Sequence, residues 1–219
     1  MPSKNATLKL LVLSELDGQI LRVNRLCERL VCSDNSDIDA ILVSGGLVAT
    51  RAPGEYEALE AVAAAEGDMM ALISRLEMII CRVLYITDDN DPPTTRSLVV
   101  PAPTLTQYSS NVFYREQQVS EGVVVMGEAH YFKLLNGGKD PIQDHDLPSL
   151  HDPLLQSRLI EIVGGGHHPP HANAPLVFPG SFRQGQFMIL ELEKQSVDDS
   201  WHIARSQSHH LPFDDDDDF

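Results

Sequence analysis

The sequence predicts one mixed α/β domain built on two β-sheets. Its first half alternates strongly apolar runs with amphipathic helical segments, and its second half consists of short β-like runs separated by Gly, Pro and Asp. Alternating strands and helices are typical of a parallel sheet with right-handed crossovers. A chain of 219 residues is long enough to close one hydrophobic core. We therefore expect a single domain over residues 1–206, followed by an acidic C-terminal tail over residues 207–219.

Three apolar runs in the first half predict buried parallel strands. Residues 8–14 (LKLLVLS) and Ala40–Ser44 (AILVS) are nearly continuous in apolar side chains, and residues 83–86 (VLYI) repeat the pattern. Runs of this kind fill interior strands that are covered on both faces. We therefore expect these strands to lie at the centre of one sheet.

Two segments between these strands predict helices. Residues Ile20–Val31 place apolar side chains at spacings of three and four, which indicates an amphipathic helix with Arg22 on its solvent side. Residues 55–80 are rich in Ala, Leu and Met and predict a second helix, with an interruption near Gly67.

The second half of the chain predicts a β-rich region. Short β-like runs occur at residues 111–114, 122–126, 176–178, 186–191 and 201–205. In this half of the chain, a helix is predicted over residues 152–162. Residues 92–106 are rich in Pro and residues 137–153 are rich in Pro and Asp, which predicts extended surface loops.

The charge balance argues against several functions. The formal net charge is −16, which repels nucleic-acid phosphates and anionic lipid headgroups, and no basic patch in the sequence offsets it. No apolar run approaches the roughly 20 residues of a membrane span, and residues 1–13 lack a cleavage site for secretion. We expect a cytoplasmic protein, with association to the cytoskeleton or to a large complex left open, and no binding to nucleic acid or insertion into membranes.

The residues that follow each predicted strand are where chemistry is expected, because ligands of open α/β sheets lie beyond the carboxyl ends of the parallel strands. Five such segments carry Gly, Asp, Glu, Asn or His. They are Ser14-Glu15-Leu16-Asp17-Gly18, Ser44-Gly45-Gly46, Thr87-Asp88-Asp89-Asn90-Asp91, Leu135-Asn136-Gly137 and Gly165-Gly166-His167-His168-Pro169.

In order and spacing these five segments resemble the five motifs of calcineurin-like metallophosphoesterases, which read DxHG, GDL, GNHD, HG and GHxH. The family ends in an NPGS turn that leads into a final hairpin, and Phe178-Pro179-Gly180-Ser181 followed by residues 187–192 is similar to that ending. The resemblance covers residues 8–194. It implies the calcineurin-like phosphoesterase fold, a mixed β-sandwich flanked by helices.

The resemblance also implies which residues stand at the family's eight metal-site positions. They are Glu15 for the first Asp, Asp17 for the first His, Gly46 for the bridging Asp, Asp89 for the Asn, Asn90 for the His that assists the leaving group, Asn136 for the fourth-motif His, and His167 and Pro169 for the two His of the last motif. Only His167 keeps the family's residue type. A two-metal site needs a carboxylate that bridges the ions, and Gly46 has no side chain.

These replacements predict a catalytically inactive, metallophosphoesterase-like protein with no cofactor and no paired metal ions. A divergent phosphoesterase with a reduced metal site is the alternative. In it, Glu15, Asp17, Asp89 and Asp91 would converge near His167, because clustered carboxylates attract hard cations. The other interpretation of these carboxylates is that they are solvated loop residues.

A folded domain without catalysis is expected to act through its surface, as a structural or interaction subunit of a protein assembly. Two segments are candidates for partner contact. One is the Pro-rich loop 92–106 with apolar Leu98, Val99 and Val100, and the other is the acidic run 214–218 that ends in Phe219 and suits a basic partner.

Overall fold

The computed structural model describes residues 6–32, 37–49, 59–79, 81–89, 91–92, 108–128, 131–136, 159–164, 169–173, 176–194 and 201–212. These residues form two six-stranded sheets and two α-helices. The mixed α/β class with two sheets that the sequence predicted is confirmed at this level.

The first sheet joins the apolar strands of the first half to the C-terminal hairpin. Its strands are β1 (Thr7–Leu13), β2 (Ala40–Ser44), β3 (Arg82–Ile86), β4 (Ser109–Asn111), β11 (Gln186–Lys194) and β12 (Trp201–His210), and their order is β12-β11-β1-β2-β3-β4. Strands β1 to β4 are parallel, and β11 runs antiparallel to both β1 and β12. The carboxyl ends of β1, β2 and β3 therefore meet at one edge.

Two helices cover one face of this sheet. Helix α1 (Ile20–Val31) has the predicted bounds, and helix α2 (Leu59–Leu76) continues into a short 3₁₀ turn, Glu77–Ile79. The predicted interruption at Gly67 is wrong, because this exposed residue lies inside α2. Arg22 is also not on the solvent side of α1 but is 1% exposed.

The second sheet consists of β5 (Glu116–Ser120), β6 (Val123–Glu128), β7 (Tyr131–Asn136), β8 (Leu159–Val163), β9 (His171–Asn173) and β10 (Leu176–Phe178). Its order is β5-β6-β7-β8-β10-β9. Residues 159–162 fall in a strand and not in the predicted helix 152–162. The reason is visible in Leu159-Ile160-Glu161-Ile162-Val163, whose β-branched side chains favour an extended backbone.

The two sheets pack face to face through an apolar core, which contains Leu10, Leu84, Val125, Phe132, Ile162 and Leu190 among others. Two glycines allow the sheets to approach closely. A Cβ atom at Gly127 would lie 2.2 Å from Cγ2 of Ile86, and one at Gly164 would lie 2.3 Å from the carbonyl oxygen of Ser44. The ends of β6 and β8 therefore lie beside the ends of β3 and β2.

Several predicted boundaries differ from the structure. The last strand runs to His210 and Leu211 is buried, so the predicted tail at 207–219 begins inside strand β12. The β-like run predicted at 111–114 is a strand at Ser109–Asn111. Loops 93–106 and 137–153 lie outside the described residues, as do Leu98, Val99, Val100 and Phe219. None of the described helices is long and apolar enough to cross a membrane.

Candidate functional site

The candidate site is the group of loops that follow β1, β2 and β3, which we call the strand-tip site (residues 14–19, 44–48 and 87–91). The first two loops are joined by backbone hydrogen bonds. The N–H of Glu15 donates to the carbonyl of Gly45 at 3.2 Å, and the N–H of Asp17 donates to that of Gly46 at 2.8 Å. Both Glu15 and Asp17 have left-handed backbones, with φ of 53° and 48°, a conformation that non-glycine residues seldom adopt outside functional or constrained loops.

Gly46 occupies the centre of this site, with little space around it. Its φ is 63°, and a Cβ atom there would lie 3.0 Å from Cα of Glu15 and 3.5 Å from Oδ2 of Asp88. At Gly45 the added Cβ would lie 3.1 Å from Oδ2 of Asp88. A side chain at residue 46 would therefore require the backbone of Glu15 to shift by a few tenths of an ångström.

Asp91 holds the second and third loops together. Its side chain is fully buried, with Oδ1 accepting from the N–H of Leu47 at 2.8 Å and of Val48 at 3.1 Å, while Oδ2 accepts from the N–H of Asp88 at 3.0 Å. Burial, reinforced by the charge of Asp88, raises the pKa of Asp91 to about 7 against the lowering effect of these three hydrogen bonds. Asp91 is therefore a buried clamp of the loop backbone.

Backbone hydrogen bonds and the side chains of two arginines hold the turn that leads into β11. The N–H of Phe182 donates to the carbonyl of Ser14 at 2.8 Å, and that of Arg183 donates to Glu15 at 2.9 Å. Buried Arg22 reaches from α1 and donates to the carbonyls of Phe182, at 3.1 Å, and of Arg183. The Nε of Arg183 lies 3.1 Å from Oδ2 of Asp17, so this carboxylate has a cation beside it within its own chain.

The structure brings together some of the predicted positions. Glu15, Asp17 and Gly46 lie in hydrogen-bonded neighbouring loops, and exposed Asp89 lies in the third loop. Pro169 is exposed. Asn90 and His167 lie outside the described residues, so their predicted roles stay predictions.

Asn136 is not at the strand tips. It ends β7 and pairs with Val123, while Tyr131 at the start of β7 pairs with Val163, next to Gly164 and the tip of β2. Strand β7 runs away from the tips over five residues, which at about 3.3 Å per residue places Asn136 about 17 Å from them. The prediction that Asn136 shares the strand-tip site is wrong, because β7 runs antiparallel to β8.

The structure gives Asp91 and Arg22 roles that differ from those predicted from the sequence, because both side chains are buried. The sequence predicts a solvated or metal-binding carboxylate at Asp91, whereas the structure places it as a buried clamp. An Asp directly before Pro92 after a strand is a turn-forming signal that favours this role. For Arg22, the helical spacing gives no indication that its carbonyl partners come from residues 182 and 183. In the part of the chain that the structure describes, no group of three or more His, Cys, Asp or Glu side chains could hold a metal ion.

Comparisons with known proteins give one informative likeness. No family model and no curated protein matches the chain. One crystal structure aligns with a TM-score of 0.58 and 11% identity, covering 94% of this chain and all of the other, which shows that the overall fold occurs in a known structure. Another, of a conserved uncharacterized protein from Streptococcus pneumoniae described as a predicted phosphoesterase, aligns at 12% identity over 94% of this chain and 99% of that one. Its TM-score of 0.29 is too low to support an argument.

Proposed function

We propose that this chain is a catalytically inactive protein of the metallophosphoesterase type, which serves as a structural or interaction subunit of a larger protein assembly. The resemblance of five sequence segments to the five family motifs suggests the family, and three of these segments form the strand-tip site. The packing around Gly46 supports the loss of activity, and it is the observation that carries the proposal.

The family's chemistry depends on a carboxylate that bridges two metal ions about 3.5–4 Å apart. At the position that resembles this carboxylate, Gly46 has a left-handed backbone and a Cβ position 3.0 Å from Cα of Glu15. A separation this short leaves no room for a side chain unless the β1 loop shifts. The residues present do not fit a dinuclear site, and the loop at its centre is instead closed by packing and by the Asp91 clamp.

The pairing of Asp17 supports the same proposal. Asp17 stands where the family has its first metal-binding His, and its carboxylate lies 3.1 Å from Nε of Arg183. A cation at this carboxylate would compete with a guanidinium that the same fold already supplies. The Asp17–Arg183 pair therefore weighs against Asp17 as a metal ligand.

Hydrolysis assays test the loss of activity. We expect the purified full chain to hydrolyse neither phosphomonoesters nor phosphodiesters above background with Mn²⁺, Mg²⁺ or Zn²⁺, and elemental analysis to find fewer than two equivalents of transition metal per chain. Asp17→Ala is the matched control, because it removes the best-placed carboxylate. Metal-dependent turnover that Asp17→Ala abolishes would favour the alternative, a phosphoesterase with a reduced site formed by Glu15, Asp17, Asp89 and His167.

The assembly role is tested on native extract. We expect the protein to elute by size exclusion well above its formula mass of 24.2 kDa and to copurify with partners in fixed ratio after gentle crosslinking. Elution as a free monomer, with no crosslinked partner, would contradict the interaction role. It would not affect the conclusion that the hydrolysis assays give about catalytic activity.

A further inference from the structure

Strand β12 is the longest edge of either sheet. The first sheet ends in β12 and β4, and the second ends in β5 and β9. Among the described residues these edges have 10, 3, 5 and 3 residues, in that order. An edge strand directs alternate N–H and C=O groups away from its sheet, where another chain can pair with them. A three-residue edge offers too few such groups for a stable added strand.

The C-terminal part of β12 is regular enough to act as a template. Residues Arg205 to His210 pair one for one with β11, from Glu191 to Gln186, after a register shift between Glu191 and Leu192. Natural edges are often protected by charged side chains, Pro or β-bulges, or by being short. Strand β12 (WHIARSQSHH) has no Lys or Pro, and its bulge and its charged Arg205 both precede residues 206–210. Ser206, Ser208 and His210 alternate along the strand and are exposed, so one face of β12 is accessible to solvent there.

Charge decides which kind of chain suits this edge. The whole chain carries a net charge of −16, which attracts basic partners and repels a second copy of itself at long range. A second copy is therefore disfavoured as the occupant.

We propose that the β12 edge accepts one extended strand from a partner protein, through backbone hydrogen bonds along residues 205–210, and that this partner segment has Lys or Arg at its ends. The proposal rests on the interaction role and names the surface and the partner chemistry. The added strand bonds the outward N–H and C=O groups of β12, and the net charge of −16 favours a segment with basic residues.

A synthetic peptide tests the edge directly. The probe has three Lys at each end and a central Thr-Val-Thr-Val-Thr-Val, and it is mixed with the full chain. We expect binding by fluorescence anisotropy and slower hydrogen exchange of the amides of β12. Two control peptides share its length. One has Glu in place of Lys and should bind weaker by on the order of tenfold or more, and one has Pro in place of Val and should not slow exchange, because it cannot form the ladder.

A pair of variants isolates the backbone contact. Consecutive residues of an antiparallel edge strand alternate between bonding the neighbouring strand and facing outward. One of Ser206→Pro and Gln207→Pro therefore removes an outward N–H while the sheet is kept, and circular dichroism with thermal denaturation identifies it. We expect this fold-preserving variant to lose the probe's binding, and the chain with Asp214–218 changed to Asn to bind the probe more weakly at low salt.

The outcomes separate the edge from the interaction role. Absence of binding, protection that falls outside β12, or equal binding by the fold-preserving Pro variant would overturn the edge proposal. So would dimerisation of the chain through β12, seen as a doubled mass that the same Pro variant abolishes. A native assembly that survives in the Pro variant would leave the interaction role standing while the edge proposal fails.

Discussion

The strand-tip site and the β12 edge lie in the same sheet, but polar side chains are buried and hydrogen-bonded at the first and exposed at the second. At the tips, the buried side chains of Asp91 and Arg22 bond backbone groups of neighbouring loops. Along β12, Ser206, Ser208 and His210 are exposed, and one side of the strand has no neighbour in the described sheet. The polar groups of the tips stabilise the fold, so changes there should alter stability, whereas changes on the edge should alter binding.

The largest expected effect is that of Asp91→Ala. This change leaves the N–H groups of Leu47, Val48 and Asp88 without their acceptor in a buried site. Each unsatisfied buried donor costs about 1–3 kcal/mol, so we expect the free energy of unfolding to fall by about 3 kcal/mol or more. Urea denaturation measures it, with Asp89→Ala on the exposed part of the same loop as the control, expected to cost less than about 1 kcal/mol. Equal losses in the two variants would break the comparison.

The charge of Asp91 predicts a second, smaller effect. Burial raises its pKa to about 7 in the folded chain from 3.8, so the folded state holds the proton more tightly than the unfolded state. The resulting stabilisation is full below pH 3.8 and is lost as the pH rises through about 7. Between pH 5 and 7 the free energy of unfolding should fall by up to about 1.4 kcal/mol per pH unit relative to Asp91→Asn.

Denaturation series at several pH values measure this slope, and the variant supplies the baseline. His209 contributes in the opposite direction, since burial lowers its pKa, and its contribution is the same in both proteins. Parallel pH profiles for the wild-type chain and Asp91→Asn would contradict the assignment of Asp91 as the buried clamp that titrates.

The first sheet was predictable because its signals are local. Residues Ile20–Val31 and Ala40–Ser44 have the predicted bounds, since hydrophobic period and continuous apolar runs are set by the immediate sequence. The second sheet was harder, because strands such as Glu116–Ser120 are polar on the surface and are defined by pairing with distant residues. The direction of β7, which removed Asn136 from the site, depends on long-range pairing that no local pattern encodes.

The candidate site was predictable in location but not in construction. Sequence placed Glu15, Asp17 and Gly46 at neighbouring strand ends, and the structure brings their loops together. What sequence could not supply is the set of partners across the fold, namely Arg183 beside Asp17 and the backbone amides around Asp91. Apart from the amide of Asp88, those partners lie more than 40 residues away in the chain, Leu47 and Asp91 being 44 apart.

Gly46→Ala should destabilise the chain by an intermediate amount. The added Cβ meets Cα of Glu15 at 3.0 Å and imposes a left-handed conformation on a non-glycine residue, which costs on the order of 1–3 kcal/mol. Gly67→Ala is the matched control, because its Cβ would meet nothing within 4 Å in the middle of α2. That change should stabilise the helix by up to about 1 kcal/mol.

Thermal denaturation of both glycine variants gives the comparison in one experiment. Opposite signs are expected, and a Gly46→Ala chain as stable as wild type would show that the β1 loop can shift. In that event Gly46→Asp followed by elemental analysis becomes the sharper test, because uptake of two metal ions would show that the site can be rebuilt by one carboxylate.

A pair of serines is expected to give the smallest effects and to separate the two regions most cleanly. Ser44 is buried at the end of β2, and its Oγ donates to the carbonyl of Leu13 at 3.2 Å. Its hydroxyl also faces Gly164, whose Cβ position lies 2.8 Å from Oγ. Ser44→Ala should therefore lower the free energy of unfolding by about 1 kcal/mol, the usual net value of one hydrogen bond.

Ser208 is exposed on β12, and Ser208→Ala should change the free energy of unfolding by less than about 0.5 kcal/mol. The same variant should keep the probe peptide bound, because the edge acts through its backbone. A loss of binding in Ser208→Ala with unchanged stability would instead assign recognition to the serine side chain.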